Sequence, residues 1–121
     1  RDARGRHADR YDALLADGPF QRPARANDRQ SAWHLYAIEL TQNPAASRAA
    51  VFAGMREAGI GVNVHYIPIH TQPFYERRGF QRGDFPNAVT YFDRALSLPL
   101  FPAMTEEPQD RVVETLLRLA A

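Results

Sequence analysis

A proline-containing stretch over residues 59–75 concentrates side chains that could contact a small polar ligand. It reads GIGVNVHYIPIHTQPFY. The candidate ligand-binding residues in it are Asn63, His65, Tyr66, His70 and Gln72. Imidazole and amide groups both donate and accept hydrogen bonds, and loops held between regular elements commonly carry binding sites. We therefore predict that this stretch, called the 59–75 loop below, contacts a ligand.

The histidines of this loop also raise the question of a metal site, with His34 as a third ligand. His65 and His70 are five positions apart across a proline, whereas zinc-binding helices place their ligands three or four positions apart. No aspartate or glutamate lies within the loop to complete a ligand set. We predict no metal. Two alternatives stay open: histidines hydrogen-bonded inside a packed loop, and histidines that contact a ligand in a composite site.

Lysine is absent from the chain, because all 15 basic residues are arginine. A lysine amine is the group that forms a Schiff base with a carbonyl compound, so this chain cannot supply that nucleophile. The sequence also lacks a GxSxG motif, a phosphate-binding loop and a GxGxxG fingerprint. We expect no catalytic residue in this chain. The residues alone predict an accessory domain that presents a polar, aromatic loop.

Length and composition indicate one globular domain of ordinary soluble type. The 121 residues are 45% hydrophobic and 24% charged, and the net charge is +1. Nucleic acid is not an expected partner, because its binding needs a concentrated basic face. No membrane contact is expected either, since no apolar run approaches the roughly 20 residues that span a bilayer. Cysteine is absent, which excludes disulfides, and the expected compartment is the cytoplasm.

Hydrophobic periodicity predicts a helix and then a strand in the first third of the chain. The helix covers residues 1–17, and its apolar stripe comprises Ala8, Tyr11, Leu14 and Leu15. A Gly-Pro pair ends it, and an irregular connection is expected over residues 20–30. The strand covers residues 31–41, because aromatic and branched side chains favour strands. It is apolar on both faces, which predicts that both faces are covered.

The middle of the chain predicts a helix and a second strand that lead into the loop. After a turn over residues 41–46, Ser47 is expected to cap a helix that runs to about Ala58. Apolar residues alternate over residues 60–64, which predicts the strand. Prolines then require an irregular loop over residues 66–73, followed by a short helical turn over residues 74–78.

The last third predicts two further helices with a short strand between them. Asp84 is interpreted as the N-cap of the first helix, whose buried stripe comprises Val89, Phe92, Ala95 and Leu96. The short strand covers residues 97–101. Thr105 is expected to cap the last helix, whose inner face comprises Val112, Val113, Leu116 and Leu117. The predicted fold class is therefore α+β, a small mixed sheet covered by helices.

Four separated motifs resemble the C-terminal region of DegT/StrS-type sugar-nucleotide aminotransferases. In chain order they read SAWHLYAIEL, REAGIGVNVHYIPIHTQPFYERRGF, DFPNA and LSLPLFPAMTEE. Members of this family depend on pyridoxal phosphate and have the fold-type I architecture of aspartate aminotransferase. The resemblance therefore implies that residues 1–121 are one small, C-terminal domain of such an enzyme.

The resemblance also implies what the rest of such an enzyme supplies. A large N-terminal domain, absent from this chain, would bind pyridoxal phosphate and provide the Schiff-base lysine. The parent protein would transfer an amino group from glutamate to a 4-keto-6-deoxy UDP-sugar, and it would act as a homodimer. This chain alone is then expected to bind no cofactor and to be inactive, and no cofactor-binding residue is predicted in it.

The resemblance places the 59–75 loop at the edge of the substrate cleft. It implies that His65 and Tyr66 contact the sugar nucleotide, with Asn63 beside them. His70 and Gln72 would support the loop or reach the diphosphate. An exposed apolar patch is expected where the large domain docks. The alternatives are a stand-alone module that binds a nucleotide sugar without catalysis and, less favoured by the spacing of the histidines, a zinc-dependent hydrolase.

Overall fold

The computed structural model describes residues 2–41 and 47–121 of the chain. The α-helices within these residues are α1 (Asp2–Leu14), α2 (Arg48–Glu57), α3 (Pro73–Glu76), α4 (Pro86–Arg94) and α5 (Glu106–Ala120). The strands are β1 (Phe20–Gln21), β2 (Tyr36–Leu40) and β3 (Ala95–Leu98). Two 3-10 turns, Ile69–Thr71 and Arg82–Asp84, flank α3. Most of the turn predicted over residues 41–46 lies outside the described residues.

The strands form one sheet in the order β1-β2-β3, and helices pack against it, so the predicted α+β class is confirmed. Both pairings are antiparallel: Phe20 pairs with Leu40, and Ile38 pairs with Leu96. The described sheet is thus antiparallel where a mixed sheet was predicted. The two-residue β1 lies inside the connection predicted to be irregular, because pairing with the end of β2 orders it.

Strand β2 begins five residues later than the sequence predicts. Trp33 has a φ of 50°, in the left-handed region, so the extended conformation cannot continue through it. Its indole is nonetheless buried, and the guanidinium of Arg25 lies 4.3 Å from the ring centroid. Within β2 the burial alternates, with Tyr36 and Ile38 fully buried. The strand therefore has one fully buried face, whereas Ala37 and Glu39 on the other face are half-buried, and the cover predicted for that second face stays a prediction.

Helices α1, α2 and α5 bury their apolar stripes in a common core with the sheet. The caps and stripes predicted for them are largely confirmed: Ser47 accepts a hydrogen bond from the backbone N–H of Ala50, 3.2 Å away. Core side chains from these helices include Ala8, Tyr11, Val51, Met55, Val112, Val113 and Leu116. Leu14 and Leu117, predicted to point inward, are partly exposed at the ends of their stripes. Thr105 precedes α5 but makes no side-chain capping bond.

The strand predicted over residues 60–64 is wrong, although its alternation is correct. Ile60 and Val62 are buried on one side, as an alternating segment would place them. Only Asn63 pairs, in an isolated antiparallel bridge to Ser97 of β3. Apolar side chains alternate in burial along this segment because one bridge attaches it to the sheet edge and the segment packs on the core. It forms no ladder of hydrogen bonds with a strand.

Helix α4 differs most from its prediction. Asp84 is not its N-cap, because the Asp84 carboxylate accepts from the backbone N–H of Gln81, 2.8 Å away, and α4 begins at Pro86. Ala95 and Leu96, predicted on its buried stripe, belong to β3 instead. No residue of α4 is buried. Val89 and Phe92 on its predicted stripe are half-buried, and Ala88 lines a groove together with residues of the 59–75 loop.

Candidate functional site

The 59–75 loop is attached to the sheet through the edge strand β3. The backbone N–H of Ser97 donates to the carbonyl of Asn63 at 2.8 Å, and the N–H of Asn63 donates to the carbonyl of Ser97 at 3.1 Å. β3 can accept this bridge because its other edge is occupied by β2. The exchange of both hydrogen bonds fixes the backbone two residues before His65.

His65 and Tyr66 form the outermost part of the loop. The imidazole Nδ1 of His65 lies 2.9 Å from the hydroxyl oxygen of Ser97, and the ring itself is half-buried. Tyr66 is 73% exposed, and the two rings meet edge to face with centroids 4.6 Å apart. The peptide bond between the two residues is cis. His65 is thus half-buried and Tyr66 exposed, and their contact with a ligand stays a prediction.

His70 has a different environment from His65. Its ring is buried, with 7% of its surface exposed, and its Nε2 donates to the backbone carbonyl of Arg82 at 3.0 Å. Phe85 packs edge-on against it at 4.9 Å. Since a carbonyl only accepts, Nε2 carries the proton. The packing alternative therefore describes His70, which connects the two 3-10 turns, while the ligand-contact alternative stays open for His65.

Gln72 joins the first 3-10 turn to α3 through its backbone. Its N–H donates to the carbonyl of Ile69 at 3.1 Å, and its own carbonyl accepts from the N–H groups of Tyr75 and Glu76. The half-buried side chain makes no capping hydrogen bond. The backbone of Gln72 thus connects the turn to α3, while the role predicted for its side chain stays a prediction.

An apolar groove of about 520 Å³ opens beside these residues. Its lining comprises Tyr66, Ile67, Pro68, Ile69, His70, Tyr75, Phe80, Phe85 and Ala88. Within this lining Ile69 is 69% exposed, and the rings of Tyr75 and Phe80 pack edge to face with centroids 5.8 Å apart. The groove brings Tyr66 and His70 together, whereas Asn63, His65 and Gln72 lie outside its lining. Among the described residues that line it, none is an acid or an arginine, so its chemistry favours an apolar partner surface.

A second, polar cavity of about 910 Å³ lies between α1 and the segment before β2, and the sequence did not indicate it. Asp12 is central here: its carboxylate accepts from the Tyr36 hydroxyl at 2.6 Å and from Arg25. Burial raises the pKa of Tyr36, and the hydrogen bond to Asp12 and the charge of Asp12 raise it further. Arg25 also pairs with Asp9 at 3.0 Å. Arg25 thus bridges the carboxylates of Asp9 and Asp12, and Tyr36 donates to Asp12, so this network connects α1 to β2.

Residues 2–41 and 47–121 form neither a metal-binding cluster nor a membrane-spanning helix. No group of three or more histidine, aspartate or glutamate side chains in these ranges could hold a metal ion. No helix formed by these residues is both long and apolar enough to cross a membrane.

The comparison with protein families decides which group this chain belongs to. A model of the DegT/DnrJ/EryC1/StrS aminotransferase family matches residues 1–117. The chain belongs to this family. Among curated relatives it is similar to the spore coat polysaccharide biosynthesis protein SpsC of Bacillus subtilis, with 40% identity over 91 residues. That match covers 73% of this chain and 23% of the relative.

Solved structures share the fold over nearly the whole chain. Spr1654 from Streptococcus pneumoniae, in its PLP-form, superposes with a TM-score of 0.88 at 28% identity, over 98% of this chain and 31% of that one. Helicobacter pylori PseC, an aminotransferase involved in the biosynthesis of pseudoaminic acid, gives 0.86 at 24% identity, over 98% and 32%. At this identity the likeness to PseC shows the fold alone. The chain thus spans about a third or less of the length of these relatives.

The family implies pyridoxal phosphate, but the residues of this chain do not fit its covalent attachment. Attachment needs a lysine amine, and the chain has none. A Schiff base between the cofactor and this chain is therefore excluded.

Proposed function

We propose that this chain is the small domain of a pyridoxal-phosphate-dependent sugar aminotransferase. The single observation that supports it most is the family match over residues 1–117. The chain covers only 23% of SpsC and 31% of Spr1654, which is the share expected of one domain of such a protein. A lysine-bearing domain of the same protein would hold the cofactor, because this chain has no lysine. The cofactor would supply the carbanion chemistry, and the protein would supply orientation and electrostatics.

In this proposal His65 and Tyr66 contact the sugar nucleotide, with Asn63 at the base of the same segment. Tyr66 is exposed and His65 is half-buried, and the imidazole of His65 contacts the hydroxyl of Ser97. His70 and Gln72 support the loop from inside through their bonds to Arg82 and Ile69. The groove along Ile69 and Phe85 would receive the large domain, since contiguous apolar surface of this kind usually marks an interface.

The substrate we propose is a 4-keto-6-deoxy UDP-sugar, with glutamate as the amino donor. The activity we propose is that of a UDP-4-amino-4,6-dideoxy-N-acetyl-β-L-altrosamine transaminase, an enzyme of pseudaminic acid biosynthesis. The motifs of the 59–75 loop support this assignment. The homodimer and the cytoplasmic location stay predictions. The alternative of a stand-alone binding module has less support, because the relatives named above are biosynthetic proteins and aminotransferases three or more times longer.

The test of this proposal uses the parent protein with its upstream sequence and measures transfer of the glutamate amino group to a UDP-4-keto-6-deoxy sugar. The intact protein should turn over, and the 121-residue chain alone should not. His65→Ala in the intact protein should lower kcat/KM by about tenfold or more, because a hydrogen bond to a charged or polar substrate group is lost. His34→Ala provides the control, since His34 is an exposed histidine outside the loop.

Two results would contradict the proposal in different ways. Turnover by the isolated chain would mean that the lysine-bearing domain is not needed. An intact protein whose kcat/KM is equal in the wild type and in His65→Ala would remove the loop from the substrate site, while leaving the family assignment unaffected.

A further inference from the structure

Ser97 makes more contacts with the 59–75 loop than a core strand residue needs. Its N–H and carbonyl form the two backbone hydrogen bonds with Asn63, at 2.8 and 3.1 Å. Its hydroxyl lies 2.9 Å from Nδ1 of His65. The residue is 5% exposed, whereas the other three residues of β3 are Ala95, Leu96 and Leu98. A single buried hydroxyl in an otherwise apolar strand thus faces the one loop histidine that reaches the surface.

The burial of Ser97 decides which of the two groups donates the proton. Within the described part of the chain, Nδ1 of His65 is the one hydrogen-bond partner of the Ser97 hydroxyl. If Nδ1 carried a proton and donated it, the hydroxyl hydrogen would be left buried without an acceptor, which is costly. If the hydroxyl donates instead, Nδ1 accepts, and the proton of the neutral ring sits on Nε2 at the surface, where it can be solvated.

We propose that Ser97 is a positioning residue that holds His65 as an Nε2–H donor directed at the ligand. This inference rests on the proposed function, in which His65 contacts the substrate. The ligand group opposite Nε2 must then be a hydrogen-bond acceptor, and in a sugar nucleotide that means a hydroxyl, carbonyl or phosphate oxygen. Ser97 itself, being buried behind the ring, does not touch the ligand.

The first test observes the ring directly in the 121-residue chain. The chain has four histidines, so long-range proton–nitrogen spectra of histidine-labelled protein resolve each ring. In the neutral ring, His65 should show a protonated Nε2 and an unprotonated Nδ1. Ser97→Ala should convert this to a mixture of tautomers, and Ser97→Thr should restore the wild-type pattern. Thr115→Val is the matched control, because it removes a buried hydroxyl from α5 and leaves Ser97 in place.

The second test uses the intact parent protein and a double-mutant cycle. Ser97→Ala should lower kcat/KM about two- to tenfold, the loss expected when one hydrogen bond is no longer aligned. In a His65→Ala background the same change should have almost no effect, because a residue that acts through His65 has nothing left to position. Ser97→Thr should recover most of the loss. A residue important only for folding would lower activity in both backgrounds.

The outcomes separate this inference from the proposed function. A protonated Nδ1 in the wild type, spectra unchanged in Ser97→Ala, or additive losses in the cycle would overturn the positioning role of Ser97 alone. If His65→Ala leaves kcat/KM unchanged, the ligand-facing role of Nε2 falls together with the proposed function. The amide spectrum of Ser97→Ala shows whether the domain is folded. If it is not folded, Ser97→Thr must still show the wild-type tautomer, and a different tautomer would overturn the inference.

Discussion

Alkaline pH should destabilise this domain, and two buried tyrosines should account for most of the effect. Tyr11 is fully buried and donates to the carbonyl of Pro99 at 2.9 Å. Tyr36 is also fully buried and donates to the Asp12 carboxylate at 2.6 Å. Burial raises the pKa of both phenols above their ordinary value, and for Tyr36 the bond to Asp12 adds to the rise. The folded state therefore keeps two protons that the unfolded chain releases near pH 10.

The size of the effect follows from proton linkage. Below about pH 10 both states hold the protons and stability is unaffected, whereas above it unfolding releases them and the free energy of unfolding falls. At pH 11, one unit above the unfolded pKa, each tyrosine should lower that free energy by about 1.4 kcal/mol, so the pair should lower it by about 2.8 kcal/mol. Few other groups contribute to this fall in stability above pH 10, because the chain has no lysine or cysteine and its arginines stay charged.

The assay is guanidinium unfolding followed by far-ultraviolet circular dichroism between pH 9 and 11.5. Tyr36→Phe should be less stable at pH 9, since a hydrogen bond to a carboxylate is lost, but its stability should fall about half as steeply at high pH. Tyr91→Phe, a change at a partly exposed position on α4, keeps both buried phenols and should retain the full slope. A wild-type stability that is constant up to pH 11.5, or a Tyr36→Phe variant with the full slope, would refute this reasoning.

The remaining predictions concern helix ends and helix packing, and equilibrium unfolding measures each of them. Ser47→Ala should lower the free energy of unfolding by about 1 kcal/mol, because the N–H of Ala50 loses its capping partner. Ser47→Asp should restore the stability, since aspartate also caps helices. Equal stability of Ser47→Ala and the wild type would contradict the role of Ser47 as a cap. Gly5→Ala should raise stability by about 0.5–1 kcal/mol, since a methyl group there meets no atom within 4 Å. Gly54→Ala should gain less stability than Gly5→Ala or lose stability, because its methyl group would lie 2.7 Å from a methyl group of Leu119, which must then move. An equal gain at both glycines would show that α2 and α5 pack more loosely than these distances indicate.

Local signals in the sequence were sufficient for most helices of this domain. Ser47 was recognised as a cap because capping involves a residue three positions away, and the stripe of α5 was recognised from a period of 3.6. The same periodicity misleads at α4, because the pattern Val89, Phe92, Ala95 and Leu96 continues across the helix end into β3. Periodicity alone does not show where a helix gives way to a strand that a neighbouring strand stabilises.

The candidate site was predictable as a segment but not as an arrangement. Residue types and prolines located the 59–75 loop, and the absence of lysine excluded a Schiff base in this chain. Residue types and spacing alone do not distinguish His65 from His70, and only the family resemblance assigns them different roles. The structure separates them, because His70 donates to the carbonyl of Arg82 inside the fold, whereas His65 reaches the surface beside Ser97. Neither partner is within a few residues of its histidine, so no local pattern indicates either bond.

Family membership, the α+β class and the position of the loop were thus available from the order of the residues, because motifs, caps and periodicity depend on neighbours along the chain. Tertiary structure alone decided the left-handed Trp33, the network from Asp12 to Tyr36, and the contact between Ser97 and His65. The hydrogen bond from Tyr36 to Asp12 joins residues 24 positions apart, and the contact between Ser97 and His65 joins residues 32 positions apart. The conformation of Trp33 likewise depends on tertiary packing. Their energy comes from burial, where an unpaired polar group is costly, and burial exists only once the sheet and helices have assembled.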